Sequence, residues 1–152
     1  MDRGLVVFEK TDRNKRLLET AGEFAAGAEA DLVLLSTLSY AEYEEDKDAL
    51  KGFERIEGTD YGIDTFRNRL EQELQSVANE TLGDTGVEYE LVPRIIDDRS
   101  ETDAILDAAE EYDVDHIFLV GQKRSPTGKA IFGDVAQAVI LGFDGRVTVD
   151  LE

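Results

Sequence analysis

Short aliphatic and β-branched runs alternate along this chain with longer segments whose apolar residues recur at helical spacing, and few folds accommodate that alternation. Leu5 to Phe8 is an uninterrupted apolar run suited to a strand covered on both faces, with Thr11 or Asp12 placed to cap the helix that follows. In that helix Leu17, Leu18, Ala21, Phe24, Ala25 and Ala28 fall at i, i+1, i+4, i+7, i+8 and i+11, which predicts one buried stripe. Leu32 to Leu35 reads as the second strand. The stretch from Tyr40 to Asp60, rich in Glu and Asp with scattered aromatics, reads as loop plus partial helix. From Ile63 to Leu82 the periodicity returns with Phe66, Leu70, Leu74, Val77 and Ala78, and Gly83 to Gly86 end it.

Val87 to Val92 supplies a third strand. Ser100 and Asp103 then form a capping-box-like pair before a helix carrying Ile105, Ala108, Ala109 and Tyr112. Ile117 to Val120 is the fourth strand. After a loop from Gly121, Phe132, Val135, Ala136, Val139 and Ile140 share a helical face, and Arg146 to Val149 alternates like a short final strand. Helical crossovers between strands favour parallel pairing, so the five strands and four helices predict an α/β fold: an open, mostly parallel five-stranded sheet with helices on both faces, Rossmann-like.

With 152 residues, 41% hydrophobic and 34% charged, the chain fits a single domain over residues 1–152. Its 35 acidic against 16 basic residues leave a net charge of -19, which opposes attraction to nucleic acid or to an anionic membrane. No apolar run approaches the roughly 20 residues of a membrane helix, and the amino terminus lacks a signal-peptide pattern, so a soluble, cytoplasmic protein is expected. Cysteine is absent, which removes thiolate metal sites and cysteine nucleophiles. Only 6 of the basic residues are Lys, and acid-rich, Lys-poor composition fits a halophilic environment, where salt screens self-repulsion.

In open parallel sheets ligands bind beyond the carboxyl ends of strands where the strand order reverses, which draws the search to Glu9–Thr11 and Gly121–Asp134. From Ile117 through Gly133 no acidic residue occurs, while Lys123, Arg124 and Lys129 add positive charge. Gly121, Ser125, Thr127, Gly128 and Gly133 are small or hydroxylated residues that let backbone amides approach an anion, and Gly133 stands at a helix start, where the dipole favours phosphate. The alternative is that the glycines only serve turns and the cations neutralise acids elsewhere. A Walker loop does not fit: six residues rather than four separate Gly121 from Gly128, and Ala130 stands where Ser or Thr would hold magnesium. His116, the only histidine, lacks companions for a metal site or a catalytic triad and reads as structural, so no catalytic or metal-ligating residue is assigned.

The chain resembles the universal stress protein family. The likeness rests on the opening strand followed by an acidic residue, the Asp-Leu-Val-Leu-Leu second strand, the Val-Asp-His-Ile-Phe-Leu-Val-Gly approach to the loop, and Gly-Asp-Val-Ala-Gln-Ala-Val-Ile-Leu. The resemblance implies an adenine nucleotide alpha hydrolase-like fold, a homodimer, and binding of ATP or another adenine nucleotide, with or without magnesium; the short edge Arg146 to Val149, whose pairing would hide unsatisfied backbone groups, is the expected seam of that dimer. It implies that Glu9 matches the family's Asp after strand one and addresses the ribose. Thr37 corresponds to a position whose backbone meets adenine, and Gly121, Lys123, Arg124, Ser125, Gly128, Gly133 and Asp134 would surround the phosphates. The family's nucleotide-binding loop is Gly, two residues, Gly, nine residues, then Gly followed by Ser or Thr. Here Arg124 stands at the second glycine, the interval to Gly133 is one residue short, and Asp134 replaces the hydroxyl residue. A carboxylate there repels phosphate unless magnesium or a neighbouring cation offsets it, and Asp134 is equally suited to satisfying helix amides itself. Three readings follow: a non-enzymatic nucleotide-binding signalling module, a nucleotide-free dimerisation scaffold, and a slow magnesium-dependent hydrolase using Lys123, Arg124 and Asp134.

Overall fold

The computed structural model describes residues 1–39, 61–96, 100–121 and 133–151. The expectations for the acidic stretch 40–60, for Phe132 and for the loop residues Lys123, Arg124, Ser125, Gly128 and Lys129 lie outside them. Among the described residues the elements run β1 (Arg3–Val7), α1 (Asp12–Ala28), β2 (Asp31–Ser39), α2 (Tyr61–Leu82), β3 (Tyr89–Ile96), α3 (Glu101–Glu111), β4 (His116–Gly121), α4 (Asp134–Gly142) and β5 (Arg146–Leu151). The strands form one parallel sheet in the order β3-β2-β1-β4-β5. No described helix is long and apolar enough to cross a membrane.

The alternation of side chains along each strand divides the core into two layers. Val6, Leu32, Leu34 and Phe118 face α1 and α2, where Leu17, Leu18, Ala21, Leu74, Ala78 and Leu82 close over them. Leu5, Val33, Leu35, Ile117 and Leu119 face the other way, against Ile105, Ala108 and Ala109 of α3 and Ala136 and Val139 of α4. This is why the strands read as continuous apolar runs: each central strand is covered on both sides. At Gly22 of α1 an added Cβ would lie 2.7 Å from Cδ2 of Leu82, so the missing side chain lets α1 and α2 approach closely.

Local signals set the helix ends. Thr11 is the N-cap of α1, its hydroxyl accepting the Asn14 amide at 3.1 Å, and Ser100 caps α3 by accepting the Asp103 amide at 3.1 Å. At the far end of α1, Glu29 adopts a left-handed conformation at φ 55°, and the Ala30 amide turns back to the Ala25 carbonyl at 2.9 Å.

Three expectations need correction. Phe24 and Ala28 do not belong to the buried stripe; Ala28 is exposed and Phe24 is 50% exposed. Phe24 instead lies at the margin of the layer, its ring centroid 5.6 Å from that of Phe118 and 6.0 Å from that of His116, because α1 packs over β1, β2 and β4 and leaves this flank open. Secondly, β2 and β3 run beyond their apolar stretches, with Ser36–Ser39 paired to Pro93–Ile96. Backbone pairing carries both strands past the polar Ser36, Thr37 and Arg94 to Leu38, Ile95 and Ile96. Pro93 is tolerated because the Leu32 amide donates to the Glu88 carbonyl, and alternation from Glu88 turns the nitrogen of Pro93 toward the free edge. Thirdly, Ile140 is exposed although it shares a helix with the buried Ala136 and Val139, so the apolar face of α4 is narrower than its periodicity suggests.

β5 is the opposite edge of the sheet. The Arg146 amide donates to the Asp115 carbonyl at 3.2 Å, so the amides of Thr148 and Asp150 also point toward β4, whereas those of Val147 and Val149 point outward.

Candidate functional site

The chain leaves β1 toward β2 on one side and returns to β4 on the other, so the carboxyl ends of β1 and β4 diverge into a crevice. A cleft of about 670 Å³ occupies this position. Its walls include Glu9 and Thr11 from the β1–α1 turn, Arg13 and Arg16 from α1, and Gly133 and Asp134 at the start of α4. A smaller hollow of about 350 Å³ adjoins it between the ends of β1 and β2 and the side of α2, where Ser36, Thr37, Lys10 and Glu73 join Glu9 and Thr11. Glu9 therefore stands between the two spaces.

Each wall follows from local structure. Thr11 spends its hydroxyl on the cap, accepting also from Asn14 Nδ2 at 2.8 Å, and this anchors the first turn of α1 above β1. Three residues apart on that helix, Arg13 and Arg16 both reach the cleft. On the opposite wall Gly133 is the N-cap of α4 with φ 83° and ψ 161°, a backbone conformation essentially reserved for glycine. Among the described residues no side chain hydrogen-bonds to cap this helix, and its amide-rich, positive end meets the cleft. Asp134, the first residue of α4, is exposed and does not cap it.

The residues singled out in the sequence divide into three groups. Glu9, Gly133 and Asp134 meet around the larger cleft, and Thr37 meets Glu9 in the smaller hollow. Gly121 is buried at the end of β4 opposite Leu151 and lines neither space. Lys123, Arg124, Ser125 and Gly128 lie outside the described residues. Sequence reasoning overlooked Arg13, Arg16 and Glu101, which also line the larger cleft. A signal was present: cations in the first turns of a helix oppose its dipole, and Arg13, Lys15 and Arg16 cluster where acids are favoured. Chemically, two guanidinium groups facing an uncapped helix start suit an anion, and the Glu9 carboxylate suits a hydroxyl donor.

His116 stands away from the cleft at the amino-terminal end of β4. Its ring is buried, stacks on Phe118 at 4.2 Å between centroids, and shares a 2.7 Å hydrogen bond through Nε2 with Oγ1 of Thr148. Burial holds its pKa below the ordinary 6.5; Asp115 pulls it up and Arg146 pushes it down. Among the described residues no group of three or more His, Asp or Glu is arranged to hold a metal ion.

The fold agrees with known proteins. The profile of the universal stress protein family matches residues 1–149. A universal stress protein from Archaeoglobus fulgidus is 28% identical, with 98% of this chain and 97% of that chain covered and a TM-score of 0.66. A universal stress protein from Archaeoglobus fulgidus in complex with dAMP is 23% identical, covering 98% and 96% of the two chains at a TM-score of 0.62. A universal stress protein in complex with cAMP is 16% identical, covering 97% and 94% at a TM-score of 0.64. No curated protein matches the chain significantly. By the extent of the family match, from the first strand into the last, this chain belongs to the universal stress protein family.

Proposed function

We propose that this protein is a cytoplasmic, single-domain, non-enzymatic signalling module that binds an adenine nucleotide such as ATP or AMP across the two adjoining spaces. The base and ribose would occupy the smaller hollow at Thr37 and Glu9. The phosphates would lie in the larger cleft against Arg13, Arg16 and the start of α4 at Gly133, with Lys123, Arg124, Ser125 and Gly128 of the intervening loop completing the site and Gly121 only ending the strand that leads into that loop. The observation that carries this reading is the cleft at the divergence of β1 and β4, where an uncapped helix start faces two arginines in a chain of net charge -19. Two similar proteins were solved with dAMP and cAMP, both adenine nucleotides, which supports the ligand class.

Asp134 and Glu9 add negative charge to the same walls. Magnesium, if it accompanies the nucleotide, would be held by Asp134 and would supply positive charge that offsets this carboxylate beside the phosphates. Calorimetry with ATP and AMP, with and without magnesium, tests the assignment. Saturable heat is expected, and no heat with any nucleotide at millimolar concentration refutes it. Phosphate release should not exceed one equivalent per protein; magnesium-dependent turnover lost in Asp134→Ala would establish the hydrolase reading instead.

We further propose a homodimer paired through the outer edge of β5. The support is the row of outward amides at Val147 and Val149 together with Leu141, which is 79% exposed on the adjacent α4. Val149→Pro removes an outward donor and spares the ladder to β4, whereas proline at Thr148 would break the sheet itself. Light scattering should report monomers for Val149→Pro, and an unchanged dimer rejects this edge.

A further inference from the structure

Arg13 faces two ways. It lies in the wall of the larger cleft, and its Nη2 also donates to Oδ1 of Asp150 at 3.2 Å and to the carbonyl of Leu151, both at the end of β5. Its Nε is buried and has no hydrogen-bond partner among the described residues. A guanidinium presents Nε and Nη2 along one edge as a fork, and an anion with two oxygens fills both tines together. Asp150 reaches only one of them. The unfilled tine is a buried donor of the kind that folded proteins rarely leave unpaired, and an acceptor supplied from the cleft would remove that cost.

We infer that Arg13 is an anion-binding residue of the cleft for which the end of β5 is a built-in competitor, so that a phosphate group taking the Nε–Nη2 fork displaces Asp150 together with the Leu151 carbonyl and releases that end of the strand. This rests on the nucleotide reading above and adds a consequence to it. Asp150 follows Val149 on the edge strand, so occupancy of the cleft and anchoring of that strand are linked, and the linkage is reciprocal: whatever holds Asp150 on Arg13 weakens phosphate binding. A purely structural ion pair would have no such sign.

The test is calorimetry with ATP and with inorganic pyrophosphate on the full chain, wild type beside Asp150→Asn, Arg13→Gln and Asp144→Asn. Removing the competing carboxylate in Asp150→Asn, with the Leu151 carbonyl left in place, should tighten ATP and pyrophosphate by up to about fivefold, the upper end for a partly exposed pair. Loss of the fork in Arg13→Gln should weaken both by roughly tenfold or more. Asp144→Asn removes the same charge beyond the other end of β5 and should change neither. Hydrogen exchange supplies a second readout: ATP should speed exchange of the Asp150 amide in the wild type but not in Arg13→Gln. If the wild type binds ATP while Asp150→Asn binds no tighter, or Asp144→Asn tightens equally, the competition is overturned and the cleft assignment stands. If none of the four proteins binds, both fall. Should Arg13→Gln not fold, Asp150→Asn and exchange in the wild type still decide the matter.

Discussion

At the amino-terminal ends of the strands, Asp115 accepts the amides of Asp2 at 2.9 Å and Arg3 at 3.3 Å, Arg3 donates to the Tyr112 carbonyl at 2.8 Å, and His116 meets Thr148. At the carboxyl ends, among the described residues, α4 starts without a side-chain cap, Arg13 keeps an unpartnered Nε, and two arginines line an open cleft. The polar groups named at one rim are matched within the chain; at the other, donors are left without an acceptor among the described residues. The difference separates what holds the fold together from what the fold presents.

Substitutions at the two rims should therefore separate stability from binding. Phe118 is fully buried and stacked on His116 in the central part of the sheet, and Phe118→Ala should cost about 3–5 kcal/mol in urea unfolding. The surviving folded fraction should bind ATP with the wild-type affinity. A large affinity change would show that the rims are not independent.

Gly133→Ala should act in the opposite manner. Forcing a side chain into φ 83° and ψ 161° costs about 1–3 kcal/mol, and the strain falls on the start of α4. Nucleotide affinity should drop more sharply than for any equally destabilising change at the other rim. Equal losses of affinity in matched pairs would remove Gly133 from the site.

Acid titration probes the closed rim. His116 has a folded pKa below its ordinary 6.5, so its contribution is complete above pH 6.5 and is lost as pH falls toward the folded value. Burial pushes the Asp115 carboxyl up, but hydrogen bonds from the Asp2 and Arg3 amides and the nearby amino terminus outweigh it, leaving a folded pKa below 3.8. Its contribution is complete above pH 3.8 and disappears as pH falls through the folded value. Unfolding free energy followed against pH should thus decline in two windows, the upper one absent in His116→Gln and the lower one in Asp115→Asn. A single window in the wild type would break this assignment.

The smallest effect is expected at Glu29, which sits in a left-handed cap at φ 55°. Glu29→Gly should stabilise the protein by about 0.5–1 kcal/mol, read as a rise in thermal midpoint, without touching either rim.

Much of this was legible in the sequence where neighbours along the chain decide the outcome. Thr11 and Ser100 cap the helices they precede because their hydroxyls reach amides three residues on. Leu5, Leu17, Leu18, Ile105 and Ala108 are buried because their spacing matches a strand or helix face. Phe24 has the same spacing yet is half exposed, since a helical stripe says nothing of how far the neighbouring strands extend beneath it. Arg13 and Arg16 were overlooked for a related reason: their charge pattern was visible, but the cleft they face is made by β4 and α4, more than a hundred residues away.

The sequence by itself determined the order of strands and helices and their parallel pairing, because side-chain periods of two and 3.6 residues, cap residues and crossover lengths act over a few residues at a time. Only the tertiary structure decided that β1 lies between β2 and β4 and that β5 forms the edge. That arrangement brings Glu9 to Gly133 and Arg13 to Asp150. Contacts at such separation depend on which buried surfaces close against each other, and no local pattern encodes that choice.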